Sequence, residues 1–235
     1  MVEMINTQIN GEWELILPKH RHLRPEWTSP EGWEKARLQA MKGRIDKGDI
    51  VYYVGAEEFD LCALLALWGA ELVAFEPNHK VIPNGKAIWE ANNLPLPKAC
   101  FVGFASDKNK YTPGSLVING FPACADGKVI GDHGFMELRN RNADEITIDE
   151  MVKVTGFIPK HISIDTEGSE GLVLRGAEHT ILNHKPVIWL SGHPEFCFDQ
   201  YGEYLNDIRN WIKDRGYTEK LLDYSHEVHL MYLPK

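Results

Sequence analysis

Gly55, Glu76, Asp165, Glu167 and His193 each combine a residue type with a position that could do chemistry. Gly55 ends the apolar run Asp49-Ile50-Val51-Tyr52-Tyr53-Val54, and a glycine at a first strand-to-helix turn lets backbone approach a ligand closely. Glu76 closes Leu72-Val73-Ala74-Phe75, about 20 positions further on, where an acidic side chain can accept hydrogen bonds from both hydroxyls of a ribose. Asp165 closes His161-Ile162-Ser163-Ile164, with Glu167 two residues beyond. If extended geometry persists, the two share one side. Asp165 could there orient a hydroxyl, take its proton or hold a divalent cation. Alternatively, Thr166 to Glu170 cap the next helix, which is the reading adopted for Glu170. His193 follows Val187-Ile188-Trp189-Leu190, and an imidazole there could remove a proton near neutral pH or be structural. Glu195 is a weaker candidate.

These residues need a frame that gathers strand ends. Leu61, Leu64, Leu65 and Trp68 repeat at helical spacing up to Gly69, between two buried-strand runs, which is the pattern of a parallel crossover. Further alternation follows. A helix carries Ala87, Ile88 and Ala91, a short strand covers Ala99–Val102, and a helix runs near Ile148–Val154. The strand ending at Asp165, a helix bearing Leu174, Ala177 and Ile181, the strand before His193 and a helix with Leu205, Ile208 and Ile212 continue it. Two terminal strands, near Lys220–Tyr224 and Val228–Leu233, read as an antiparallel pair. The expected fold is α/β, a mostly parallel doubly wound sheet with that pair at its end. Residues 1–34 read as an extension packed on a main domain of 35–235, with a strand near Glu12–Leu17 and a helix opening at Ser29-Pro30 and running to Met41. A loop-rich insertion occupies about 108–141, and long loops in compact domains are often functional.

The loop Val54-Gly55-Ala56-Glu57-Glu58-Phe59 has one glycine, not the three of a dinucleotide fingerprint, which disfavours a nicotinamide or flavin. S-adenosylmethionine carries no phosphate, only an ammonium, a carboxylate and a sulfonium. Glu57 or Glu58 could pair with the ammonium, or be solvated acids at a helix start.

Several blocks then recur in order: Val54-Gly55-Ala56, Val73-Ala74-Phe75-Glu76-Pro77, Gly103-Phe104-Ala105-Ser106-Asp107 and Ile146-Thr147-Ile148-Asp149-Glu150. Asp165-Thr166-Glu167-Gly168-Ser169-Glu170, Leu174-Arg175-Gly176-Ala177 and Lys185-Pro186-Val187-Ile188 complete them. From about Lys35 onward the chain resembles the FkbM-type methyltransferases. The resemblance implies a Rossmann-like class I methyltransferase fold and S-adenosylmethionine as methyl donor. It also implies O-methylation of a hydroxyl on a sugar, glycan or related natural product. On that basis Tyr53, Gly55, Ala56, Glu57 and Glu76 are expected to hold the cofactor, with Ala105, Ser106 and Asp107 near the adenine. Asp165 and His193 are expected to align the acceptor and remove its proton. Four positions, in three places, depart from the family. Tyr53 stands where an aspartate is usual, Glu57 and Phe59 replace an Asn-x-Gly step, and Ser191 replaces a glutamate two residues before His193. The loop departures support a second reading, a non-catalytic binding or assembly protein that keeps the fold with a degenerate loop and a blocked pocket.

The formal charge of −9 argues against general attraction to nucleic acid or anionic membranes. The expected partner is a small-molecule or glycan acceptor. Four scattered cysteines and a start without a signal pattern fit a reduced, cytoplasmic protein. No metal set emerges. His226-Glu227-Val228-His229 has its histidines three apart, on opposite sides of a strand, and His20-Arg21-His22 has no further ligand. Trp13, Trp27 and Trp33 could offer a glycan surface, but packing is the expected role. Neither a nucleophile elbow nor a Lys-Ser/Thr phosphate loop is present.

Overall fold

The computed structural model describes residues 2–130, 143–224 and 227–235. Part of the expected insertion, and His226, lie outside the described residues. The chain opens with a hairpin of β1 (Met4–Ile9) and β2 (Trp13–Pro18), the single turn α1 (Lys19–His22) and helix α2 (Lys35–Lys42). The crossover β3 (Ile50–Val54), α3 (Asp60–Leu67), β4 (Glu71–Phe75) follows. Next come α4 (Ile82–Ala91), β5 (Ala99–Phe101), β6 (Phe104–Ala105), β7 (Leu116–Ile118) and β8 (Glu145–Ile146). The remainder is α5 (Ile148–Thr155), β9 (His161–Asp165), α6 (Glu170–Arg175), α7 (Glu178–His184) and β10 (Val187–Gly192). Helices α8 (Pro194–Tyr201) and α9 (Leu205–Asp214) then lead to β11 (Tyr217–Tyr224) and β12 (Val228–Pro234).

The main sheet has the order β11-β12-β10-β9-β3-β4-β5-β7. Strands β10, β9, β3, β4 and β5 are parallel; β12 and β7 run opposite to them, and β11, at the margin, pairs antiparallel with β12. The expected terminal pair is present, with β12 inserted between β11 and β10. Strand β3 sits where the winding reverses: the chain proceeds through β4 and β5 on one side and through β9 and β10 on the other. A sheet of this kind leaves its crevice there, beyond the carboxyl ends of the strands.

Alternation along each central strand feeds two cores, because successive side chains point to opposite faces. Val51, Tyr53, Leu72 and Ala74 pack with α3, α4 and the N-terminal hairpin. Tyr52, Val54, Val73, Phe75, Ile162 and Ile164 pack against the helices of the second half. Burial on both faces explains why these strands are continuous apolar runs. Among the described residues, no helix is long and apolar enough to cross a membrane.

The helix expected from Ser29 begins only at Lys35. Ser29 Oγ does accept the Gly32 N–H at 2.9 Å, as a cap would. Gly32, however, adopts φ +72°, a left-handed conformation that ends the turn. The Asn10 amide, from the hairpin, then accepts the Trp33 N–H at 2.6 Å and donates to its carbonyl at 2.9 Å. A contact from a distant segment takes the place of the first helical turn.

Candidate functional site

The carboxyl ends of β3, β4 and β9 open onto a cavity of about 890 Å³, whose wall includes Tyr53, Gly55, Ala56, Glu57, Glu76 and Asp165. That volume lies in the range of small-molecule sites. Gly55 has φ +88°, and a Cβ added to it would lie 1.7 Å from the Asp165 carbonyl oxygen. The glycine is thus imposed first by the neighbouring strand. Its N–H and that of Ala56 both donate to the Phe75 carbonyl at 3.0 Å, tying the loop to the end of β4.

Glu76 is buried, with Oε1 accepting from Asn78 N–H and Oε2 from Glu57 N–H, each at 2.8 Å. Burial outweighs these two donors and pushes its carboxyl up to about 8. The group therefore waits on the wall largely protonated at neutral pH.

The loop departures find structural explanations. Phe59 adopts φ +68° and is fully buried, its ring packing against Trp89 and Phe121 at centroid distances of 6.3 and 6.0 Å. It faces the core rather than the cavity, so the side chain that a degenerate loop would use to block the pocket is turned away. Glu57, at φ +49°, receives Arg21 through both carboxylate oxygens at 2.9 and 3.2 Å. Arg21 is buried and also donates from Nε to Asp60 at 2.7 Å. Glu58 is buried against His20 at 2.6 Å and accepts from Asn84 Nδ2 at 2.8 Å. Glu58 is therefore closed off from solvent, whereas Glu57 stays exposed while paired with Arg21; both anchor the segment that follows the N-terminal hairpin. His22 meets Thr7 instead, at 3.0 Å.

Ala105 lines the cavity. Ser106 is buried beside it, but its hydroxyl donates to Glu145 at 2.7 Å, and Asp107 approaches Arg175 at 3.8 Å. Both are outside the cavity wall, because pairing of β6 with β8 draws residues 106 and 107 away from it.

At the other end, Asp165, Glu167 and His193 come together. His193 Nε2 lies 3.7 Å from Asp165 and 3.6 Å from Glu167. The strand does not persist, since Glu167 takes φ +53°, yet both acids still line the cavity. Closer partners hold the imidazole: Glu170 accepts from Nδ1 at 2.7 Å and Glu227 contacts Nε2 at 2.9 Å. Burial opposes a charged ring here, but the bonds to Glu170 and Glu227, with the Asp165 charge, push His193 up to about 11. Glu227 falls correspondingly to about 2: burial opposes this, and the His193 bond and charge with the His229 charge outweigh it. His193 stands where it was expected, but as an imidazolium. A protonated ring cannot remove a proton, so the role of base meets a physical obstacle. Asp165 moves the other way, raised well above the usual carboxylate range by burial and by the Glu227 and Glu34 charges, against Arg37 and His193.

Sequence reasoning passed over four members of this cluster. Glu170 was read as a helix cap; it does accept the Gly168 N–H at 3.1 Å, but it also holds His193. Glu34 and Arg37 form a buried ion pair, and Arg37 reaches Ser163 at 2.6 Å and Asp165 at 3.8 Å. Glu227 enters at the start of β12. Its one signal was the His-Glu-Val-His stretch, dismissed as a zinc motif. His229 of that stretch instead contacts Ser191 at 3.1 Å, where the family's glutamate is absent. Asp165, Glu167 and His193, and likewise Glu34, Asp165 and Glu227, bring donor atoms within 4.8 Å of one another. An ion could bridge such spacings, but acid clusters are common without one, and we assign none. The three tryptophans pack: Trp27 is buried and donates to the Arg21 carbonyl at 2.7 Å, and Trp13 meets Trp68 at 5.3 Å. Trp33 forms part of the cavity wall.

Comparison with known proteins agrees with this architecture. The crystal structure of Methyltransferase FkbM from Methylobacillus flagellatus KT superposes with a TM-score of 0.54 at 18% identity, covering 80% of this chain and 44% of that one. This chain thus spans less than half of that protein. A precorrin-6y C5,15-methyltransferase from Geobacter metallireducens GS-15 aligns at 0.46 and 10% identity, over 86% of this chain and 88% of the other. No curated protein matches the chain. The Methyltransferase FkbM domain matches residues 49–219, from the residue before β3 into β11. The fold is the class I Rossmann-like methyltransferase fold, and the chain belongs to the FkbM methyltransferase family.

Proposed function

We propose that the protein is an S-adenosylmethionine-dependent O-methyltransferase acting on a hydroxyl of a sugar, glycan or related natural product. The observation that carries this reading is one cavity with Glu76 on its wall at the end of β4 and Asp165 at the end of β9. The residues present fit the cofactor. Each Glu76 oxygen accepts one backbone N–H and keeps a lone pair for a ribose hydroxyl. Bound there, the cofactor would supply an electrophilic methyl group on a sulfonium.

Passing that methyl group to the acceptor hydroxyl would leave the hydroxyl proton to be taken up by the protein. What the chain must add is alignment and a home for the hydroxyl proton. Asp165 suits the second task because its surroundings make the carboxylate unusually basic. His193, as a cation clamped by Glu170 and Glu227, orients the acid cluster around it. Asp165→Asn is expected to lower turnover by about 10²–10⁴-fold while S-adenosylhomocysteine still binds. Wild-type turnover should rise with pH through the elevated Asp165 range, since only the ionised form accepts a proton. Full turnover in Asp165→Asn removes it from the chemistry.

Calorimetric titration with S-adenosylhomocysteine tests the cofactor, with Glu76→Ala as the control that should lose binding. Ribose hydroxyls select the ionised carboxylate, whereas free Glu76 sits at about 8. Binding should therefore release protons at pH 7, and affinity should rise by up to about tenfold per pH unit below 8, then level off. Repeating the titration in buffers of different ionisation enthalpy measures that release. Proton uptake, or an unchanged Glu76→Ala, would count against the site.

A further inference from the structure

The wall of the cavity includes a segment that no crossover motif supplies, the stretch from α1 to α2, and one guanidinium on it stands apart. Arg24 lies 4.8 Å from the ring of Trp33 and 5.5 Å from that of Trp27. Stacking of this kind holds the group in place through its face and leaves its edge free for bonding. Its acidic neighbours are too distant for hydrogen bonds: Nε is 3.6 Å from Glu26 and Nη1 is 3.7 Å from Glu57. Arg24 Nη1 is buried and has no hydrogen-bond partner in the protein. Arg21, next to it, is the opposite case, engaged by Glu57 and Asp60. A buried guanidinium N–H left without an acceptor is costly, and on a cavity wall it points to a ligand that brings one.

Position narrows the ligand. Glu57 N–H donates to Glu76 at 2.8 Å, and Arg24 approaches the Glu57 carboxylate. Going away from Glu76 along the loop, the cavity passes Glu57 and reaches Arg24. On the S-adenosylmethionine reading, with the ribose on Glu76, the amino-acid tail running along this loop ends at that guanidinium. We propose that Arg24, stacked between Trp27 and Trp33, binds the α-carboxylate of the cofactor's amino-acid tail, so that the N-terminal segment completes the cofactor site. A planar guanidinium can grip a carboxylate through two parallel bonds. On this reading the segment between α1 and α2 serves the cofactor.

The test compares two ligands that differ in that tail. S-Adenosylhomocysteine carries it; 5′-methylthioadenosine keeps the nucleoside and the thioether without it. By calorimetry, Arg24→Met should weaken S-adenosylhomocysteine by about 10–100-fold and leave methylthioadenosine within about twofold, with Arg24→Lys intermediate because it restores a point charge. Equal losses for both ligands would mean that the substitution only disturbed the wall, and overturn the proposal. So would an Arg24→Met that binds S-adenosylhomocysteine like the wild type. Wild-type protein that binds neither ligand would overturn the cofactor reading itself, and this inference with it. A poorly folded Arg24→Met would be exposed by its thermal unfolding without ligand, and Arg24→Lys then decides.

Discussion

Gly55→Ala is expected to cost the protein its fold, and not merely its ligand. The new Cβ would sit 1.7 Å from the carbonyl oxygen of Asp165, a backbone atom that cannot rotate away. To make room, β3 and β9 would have to part at their carboxyl ends, where Val54 pairs with Ile164. The residue also holds φ +88°, which an L side chain rarely adopts. Strain and clash together should remove at least about 4 kcal/mol, the range of severely destabilising substitutions. Soluble yield and thermal unfolding in the absence of any ligand read this directly. A Gly55→Ala protein that melts like the wild type and has lost only ligand affinity would show that the glycine serves the ligand alone.

The second large effect is expected at His193. Its imidazolium lies between two buried carboxylates, Glu170 at 2.7 Å and Glu227 at 2.9 Å. His193→Ala strands both charges, and breaking a buried ion pair from one side costs about 3–5 kcal/mol. For a domain of this size that is a fall in Tm of roughly 10 °C. The pH dependence has a definite sign. The folded ring titrates at about 11, against an ordinary value near 6.5. Its contribution is complete below about 6.5 and is lost as pH climbs toward 11. Wild-type stability should carry that alkaline decline and His193→Ala should lack it, in thermal unfolding from pH 6 to 10. Parallel profiles for the two proteins would mean that the ring is neutral in the fold. Loss of turnover in this variant would then be ambiguous on its own, which is why Asp165→Asn is the cleaner probe of the chemistry.

The legible part of this protein was the part governed by short-range pattern. Buried strands written as Val51 to Val54 and Leu72 to Phe75, with helical spacing between them, leave little choice but a parallel crossover. Sheet winding then places Gly55, Glu76, Asp165 and His193 together, because all four follow strands whose carboxyl ends share one edge. Residue type and position along the chain were enough for that. They were not enough for protonation. Whether His193 is a base or a cation depends on Glu170 and Glu227, which lie 23 and 34 positions away and reach it only through the packing of α6 and the start of β12. Nor could they tell that Phe59 turns into the core, that Arg21 neutralises the loop acids, or that Asn10 delays α2 to Lys35. Those outcomes rest on contacts made across the fold, between segments with no periodic relation to one another. The sequence by itself determined the sheet, the crevice and the residues around it; the tertiary structure alone decided which of their charges meet, and so what each can do.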